Sequence, residues 1–265
     1  MPLAPDNPFD FTGRTVVVTG GTKGVGRGIA ERFLVAGADV VITARHAPNE
    51  PISAAGRTAQ FVAGDIRDPD QLDPLFAAAA ATGRLDVVIN NAGGSPMADA
   101  ATASPRFSQA IVNLNLMAPL HVAQRANAVM QQGEGGSIVN IGSISGVRPS
   151  PGSAAYGAAK AGLLNLSQTL AIEWAPKVRV NVVTGGIIET EQAHLHYGDD
   201  EAVTRVARTI PMQRMGQPSD IADACLFLAS AMASFITGTN LTVHGGGERP
   251  TFLDAADVEP TAPPS

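Results

Sequence analysis

Short, unbroken apolar runs alternate along the chain with longer stretches whose apolar residues recur at helical spacing. Residues 14–19 read Arg-Thr-Val-Val-Val-Thr, a β-branched run of the kind buried on both faces of a parallel sheet. Val25, Ile29 and Phe33, with Ala30 and Leu34 beside them, then keep a helical period until Ala36-Gly37 supplies a C-terminal stop. The same pattern predicts strands over 39–44, 60–63, 85–90, 137–141, 178–183 and 240–243, and helices over 69–82, 104–131, 153–175 and 219–231. This alternation, with no tight hairpin signal, predicts an α/β fold built on a doubly wound sheet. Between Arg45 and Gln60 lie Pro48 and Pro51, which disfavour a helix interior, so little helix is expected in that crossover. No internal repeat or second core is visible. The reading is one domain over 1–249 and a proline-punctuated tail over 250–265, either frayed or strapped over a neighbour.

Composition narrows the function. The chain has 265 residues and is 45% apolar, ample for one core, but only 16% charged, below the roughly 25% usual for soluble domains. Eighteen Lys and Arg against 24 Asp and Glu leave a net charge of −6, with no basic footprint for nucleic acid. No apolar run approaches the roughly 20 residues of a membrane span. The N-terminus, Met1-Pro-Leu-Ala-Pro-Asp-Asn-Pro, lacks the basic and apolar regions of a signal peptide. The expectation is a soluble, cytoplasmic protein with neither nucleic-acid nor membrane partners. The single cysteine, Cys225, excludes an intrachain disulfide and a cysteine-built zinc site, and its apolar setting predicts an inert core thiol. Only three lysines occur: Lys23, Lys160 and Lys177.

The first strand runs into Gly20-Gly21-Thr22-Lys23-Gly24-Val25-Gly26 and then a helix. A glycine-rich turn at that place lets backbone approach a pyrophosphate held at the helix N-terminus. The spacing is G-x-x-x-G-x-G, not the general G-x-G-x-x-G, and a tight strand-to-helix turn needs glycine in any case. The second strand ends Ile42-Thr43-Ala44-Arg45, with no carboxylate at its tip to bind a ribose 2′-hydroxyl. Arg45 offers a planar fork to a 2′-phosphate, and Lys23 adds a second positive charge. The pair favours NADP(H), with NAD(H) as the alternative.

Three further features converge. Asn90-Asn91-Ala92-Gly93 closes one strand, Ser143 follows another, and Tyr156-Gly-Ala-Ala-Lys160 puts a tyrosine and a lysine on one helical face. A free tyrosine titrates near pH 10, and lowering it by roughly three units takes about 4 kcal/mol. One ammonium at about 4 Å supplies energy of that order at an effective dielectric near 20. Taken alone, Tyr156 would read as a core-edge residue and Lys160 as a solvated charge.

Together these residues resemble the short-chain dehydrogenases/reductases. The likeness covers nearly the whole chain, from Thr19-Gly20-Gly21-Thr22-Lys23-Gly24-Val25-Gly26 to Ile236-Thr237-Gly238. Between them lie Asp65-Ile66, Asn90–Gly93, Asn115, Ser143, Tyr156 and Lys160, in the family's order and spacing. The resemblance implies a single Rossmann-type domain with a seven-stranded parallel sheet flanked by helices. It implies Tyr156 as the acid and base toward a ketone or secondary alcohol, Ser143 as holder of the substrate oxygen, and Lys160 as partner of the nicotinamide ribose and of the tyrosine. Asn115 would anchor a water in a proton relay; Asn113 is out of register. Gly20, Thr22 and Val25 would line the pyrophosphate, Asp65 and Ile66 the adenine, and Asn91, Ala92 and Gly93 the ribose side. Ile188 and Thr190 would reach the carboxamide. Family members also form dimers and tetramers, and the Ala-rich helices 104–131 and 153–175 would pack as a shared four-helix interface.

The strand map agrees independently. Gly20, Arg45, Asp65, Asn91, Ser143 and Gly186 each fall just beyond a predicted strand's carboxyl end, the edge along which open α/β sheets bind ligands. Two departures stand out. Gly185-Gly186 replaces the family's Pro-Gly, loosening the hinge before Ile188 and Thr190. His244-Gly245-Gly246 replaces Asp-Gly-Gly, and a structural role is the default for that histidine. Other readings are weaker. Gly142-Ser143-Ile144-Ser145-Gly146 puts serine out of place for a nucleophile elbow. His194-x-His196 with Asp199, Asp200 and Glu201 lacks spaced metal ligands, so no metal is expected. A nucleotide-sensing binder, or an NADP-dependent epimerase or dehydratase, remains as the alternative on the same fold. The loop from Ile187 to Met215, with Ile188, Leu195, Tyr197 and Met212, points to a mainly apolar small-molecule substrate.

Overall fold

The computed structural model describes residues 7–191 and 197–248, together with 250 and 252. Seven parallel strands stand in the order β5-β2-β1-β6-β7-β8-β9. They are β1 (Thr15–Thr19), β2 (Asp39–Ala44), β5 (Gln60–Ala63), β6 (Val87–Asn90), β7 (Gly136–Ser143), β8 (Val178–Gly185) and β9 (Asn240–Val243). The chain builds outward from β1 to β5, then returns to lay β6 on the other side of β1, with Val16 opposite Val87. The topological switch point therefore lies between β1 and β6, where ligands of open α/β sheets bind.

The β-branched runs form these strands because both faces are covered; every residue of β1 is buried. On one face, α1 (Gly24–Val35) and α7 (Pro218–Ala229) enclose Val16, Val18, Ile29, Phe33 and Leu228. Phe11 and Phe33 meet edge to face there, with ring centroids 5.1 Å apart. On the other face, α2 (Asp73–Ala80), α4 (Ala118–Gln132) and α5 (Ala154–Trp174) cover Val17, Val41, Val88 and Ile138. Cys225 is fully buried within the first layer, and desolvation pushes its thiol far up, as expected of an inert core residue. No helix among the described residues is long and apolar enough to cross a membrane.

Four local features differ from the sequence pattern. The crossover after β2 has no helix, as its prolines require, but it does contain a hairpin, β3 (Ser53–Ala54) with β4 (Arg57–Thr58). Its turn puts Ala55 and Gly56 at φ +51° and +74°. Two successive left-handed residues are the mark of a type I′ turn, for which Asn-Gly or Asp-Gly is the usual signal. The predicted helix 104–131 divides into α3 (Pro105–Val112), a π-helical turn at Asn113–Met117, and α4. An unpredicted helix, α6 (Asp200–Thr209), buries no residue and starts at an Asp199 cap. Lys177, whose place beside Pro176 marks it in the sequence as an ordinary surface charge, donates its ammonium to Gln131 O at 2.7 Å and Gly133 O at 3.2 Å, closing the C-terminal end of α4.

Candidate active site

The glycine turn after β1 is fitted backbone to backbone. Gly20 and Gly24 sit at φ +66° and +52°. A Cβ on Gly26 would lie 2.1 Å from Gly20 O, and one on Gly20 would lie 3.0 Å from the Ala92 backbone. The turn is tied to the loop after β6 by Thr19, whose hydroxyl accepts from the amides of Asn91 and Ala92, each at 3.0 Å. The Asn91 carboxamide donates back to Thr19 O at 2.9 Å. Asn91 therefore borders the cleft, but its side chain is spent on holding the turn. Lys23 stands exposed as the residue before α1.

At the outer end of the cleft Arg45 is exposed at the tip of β2, as the strand reading requires. Asp65 lies close enough to Arg45 to feel its charge, but its first partner is Arg67, a residue the sequence reading missed. Arg67 Nε donates to Asp65 Oδ1 at 2.9 Å, and a second guanidinium nitrogen meets the other carboxylate oxygen. This fork, ahead of the weaker pull of Arg45, holds the Asp65 carboxyl below its ordinary value against its partial burial. Ile66 is buried beside it. Arg45, Asp65-Ile66-Arg67 and the glycine turn line one continuous cleft of about 430 Å³.

At the inner end of that cleft stand Ser143, Tyr156 and Lys160. Ser143 is the last residue of β7, and Tyr156 lies in the first turn of α5. Burial pushes the Tyr156 phenol above its ordinary value; a side-chain hydrogen bond with Ser143 opposes the rise, and nearby Tyr197 adds to it. Lys160 is almost wholly buried, and desolvation pushes its ammonium down to about 8. Its Nζ donates to Ile141 O at 2.7 Å and lies 5.7 Å from the Tyr156 ring centroid. The expected lowering of the phenol by Lys160 is thus absent from this arrangement, in which burial is the dominant influence on both groups.

Asn115 is fully buried in the π-helical turn. Its Oδ1 accepts from Gly94 N at 2.8 Å, and its Nδ2 donates to Gly94 O at 3.0 Å and Ile111 O at 2.9 Å. It lies behind the cleft wall, unlike the other candidate residues. A Cβ on Gly93 would stand 2.7 Å from Asn115 Oδ1 and 3.4 Å from Lys160 Nζ, so the bare glycine is what keeps the space between them open.

The segment after β8 completes the wall with Ile188 and Thr190. The Gly185-Gly186 hinge is held without a proline. Gly186 N donates to Val243 O at 2.9 Å, Glu189 N to Gly216 O at 2.8 Å, and Gly216 N to Ile187 O at 2.9 Å. A Cβ on Gly186 would strike the His244 Cβ at 2.6 Å, so His244 serves as packing against the hinge. Glu191 Oε2 accepts from Gly24 N at 3.1 Å, a contact with no sequence signal. Of the apolar substrate-loop residues, Met215 is buried in the protein interior, Met212 is exposed, and Leu195 lies outside the described residues. His194 and His196 also lie outside them, Asp199 caps α6, and no metal-ligating cluster occurs among the described residues.

A glycine turn packed backbone to backbone, a helix N-terminus beside it, and basic groups at the far end of the same cleft fit an extended phosphate-bearing dinucleotide. Comparison with known proteins bears on the same point. Residues 20–248 match the family model described as enoyl-(acyl carrier protein) reductase. The chain is 36% identical over 246 residues to 3beta-hydroxysteroid dehydrogenase 1 of Eggerthella lenta, covering 89% of this chain and 94% of that one. It is 38% identical over 246 residues to an uncharacterized oxidoreductase of Mycobacterium tuberculosis, covering 90% and 93%. The solved ligand-free aldohexose dehydrogenase of Thermoplasma acidophilum superposes with a TM-score of 0.83 at 30% identity, over 94% of this chain and 97% of that one. A short-chain dehydrogenase/reductase of Brucella melitensis, of the glucose/ribitol dehydrogenase type, gives 0.81 at 31% identity over 90% and 98%. With the seven-stranded sheet and the cleft at its switch point, these matches establish that the chain belongs to the short-chain dehydrogenase/reductase family of NAD(P)-using oxidoreductases.

Proposed function

We propose that this protein is an NADP(H)-dependent oxidoreductase that interconverts a ketone and a secondary alcohol, with Tyr156 as acid and base. The observation that carries the reading is the convergence of Ser143, Tyr156 and the buried Lys160 at the inner end of the cleft. A nicotinamide dinucleotide held along the cleft by the glycine turn, Arg45 and Lys160 would supply hydride chemistry at the carbonyl or alcohol carbon. Ser143 holds the substrate oxygen by its hydroxyl, and Tyr156 gives that oxygen a proton in reduction or removes one in oxidation. A phenol raised by burial is protonated at neutral pH, the form a reductase needs. Lys160 has its ammonium beside the tyrosine and carries the ribose contact. Asn115, bonded to Gly94 and set across the Gly93 gap from Lys160, fixes the loop on which the relay depends.

Preference for the 2′-phosphate rests on Arg45 and Lys23, with the Asp65-held Arg67 adding a third cation at that end. Exposed Met97 and Val147 support a mainly apolar substrate, since Val147 follows Ser143 by four residues and the Met97 methyl lies near Gly152, just before α5. Self-association through α4 and α5 fits the exposed Val129 and Ile172 on those helices.

A nicotinamide-absorbance screen with NADPH against a library of ketones tests the reading. Turnover of at least one ketone is expected; silence across the library would replace it with a binding or non-redox role. In the same assay Arg45→Ala should weaken NADPH by about tenfold, a charge-assisted contact of about 1.5 kcal/mol. NADH should change less than twofold. Equal losses would remove the 2′-phosphate assignment.

A further inference from the structure

The glycine turn already holds an anion, and it belongs to the protein. Glu191 reaches back from the end of the segment after β8 and accepts from Gly24 N through both carboxylate oxygens, at 3.1 and 3.3 Å. Gly24 is the first residue of α1, so the carboxylate sits where the helix presents its unpaired amides. Thr190 comes down over the same place: a Cβ on Gly24 would lie 3.5 Å from its methyl group. Arg27 is the cation of this first helical turn, and it is bridged to Glu31 at 2.7 Å.

We infer that Glu191 is an internal competitor for the pyrophosphate position and thereby sets the affinity for the dinucleotide; this rests on the cofactor reading above. A pyrophosphate and a carboxylate cannot share the amides of one glycine turn without repulsion between like charges. Binding must therefore break the Glu191–Gly24 contact and move the carboxylate away. The apparent affinity is reduced by the fraction of molecules in which the contact is made. The competition is confined to the pyrophosphate. An adenine nucleotide that ends at the ribose reaches only the outer end, where Arg45 and Asp65 lie, and does not meet Glu191.

Two ligands and two variants test this. Equilibrium dissociation constants for NADP+ and for 2′-AMP, which lacks a pyrophosphate, are measured by calorimetry on the wild type, Glu191→Gln and Glu191→Asp. Thermal melting first confirms that each variant is folded. Glu191→Gln keeps the side chain's size and removes its charge. It should lower the NADP+ dissociation constant about fivefold, the scale of one exposed charge at a helix N-terminus, and leave 2′-AMP within about twofold. Glu191→Asp keeps the charge on a shorter arm and should fall between wild type and Gln. An unchanged or weaker NADP+ affinity in Glu191→Gln would overturn the inference, and so would equal tightening of both ligands. A wild type that binds NADP+ while Glu191→Gln gains nothing removes only the role of Glu191. A wild type that binds neither NADP+ nor NAD+ removes the cofactor reading as well.

Discussion

The two ends of the cleft are built by different means. Around the glycine turn the fit is backbone against backbone: Gly20 against Ala92, Gly26 against Gly20 O, and the Thr19 hydroxyl on two consecutive amides. Around the segment after β8, side-chain pairs are added to the backbone bonds of the hinge. Arg148 Nε meets Glu248 at 2.8 Å across 100 residues, Gln217 meets Glu189 at 2.8 Å, and Arg214 meets Asp220 at 2.6 Å. Backbone approach demands glycine at fixed places and nothing else will serve. Exposed ion pairs contribute only about 0–1 kcal/mol and can be exchanged for other pairs. A site made the first way is rigid in composition; a site made the second way can drift with its substrate.

The largest expected effect lies where the two ends meet. Tyr156→Phe removes the only hydroxyl assigned to proton exchange and should cut turnover by about 10³-fold, within the usual range for a general acid. NADPH affinity should stay within about twofold, because the nucleotide end does not use the phenol. Retained turnover would displace Tyr156 from its role. The raised phenol also fixes the sign of the pH dependence. Ketone reduction uses the protonated form and should run flat through neutral pH. Alcohol oxidation needs the phenolate, scarce below the raised value, and should climb as pH rises. Lys160, pushed down to about 8, loses its charge before the raised phenol ionises. An oxidation rate that is highest at acid pH would contradict both assignments.

Next in size is a change confined to the nucleotide end. Gly26→Ala would put a methyl carbon 2.1 Å from Gly20 O, a backbone atom with no freedom to turn away. The turn must open to admit it. Dinucleotide affinity should fall about 100-fold or more, which calorimetry with NADP+ would read directly, while the melting temperature falls by several degrees. A variant that binds NADP+ normally would show that the turn does not hold the pyrophosphate.

That contrast also explains what the sequence made legible. The parallel strands were readable because strands buried on both faces need continuous β-branched runs, and the glycine turn because close approach leaves glycines at set spacing. Tyr156 and Lys160 were readable because one helical turn brings them to one face. Arg67 and Glu191 were not. Each matters through a partner that only the folded chain supplies: Asp65 fixed at a strand end, and the Gly24 amide lying 167 residues from Glu191. The π-helical turn around Asn115 was hidden for a similar reason, since Asn-Leu-Asn-Leu-Met carries no local signal and the widened turn is stabilised by the bonds of Asn115 to Gly94. The Ala55-Gly56 hairpin escaped because alanine replaces the residue that normally marks such a turn.

The smallest expected effect is the most direct contrast with Gly26. Gly185 stands where the resemblance to the family leads one to expect proline, and it lies at the end of β8 without a left-handed φ. A Cβ there would meet Ile221 Cδ1 at 3.3 Å and Ile188 Cγ1 at 3.7 Å. The nearer atom is the free end of a flexible side chain, which can yield by a few tenths of an ångström. Replacing glycine by alanine in a compatible backbone also restricts the unfolded chain, which stabilises by about 0.4–1 kcal/mol. The crowding and the gain oppose each other, so Gly185→Ala should shift the melting temperature by no more than about 2 °C. NADP+ affinity should be unchanged. The adjacent Gly186 has no such room, because its Cβ would strike His244 at 2.6 and 2.8 Å. A large loss in Gly185→Ala would mean that the hinge, like the turn after β1, is held by backbone fit, and the division between the two ends would have to be redrawn closer to Ile188.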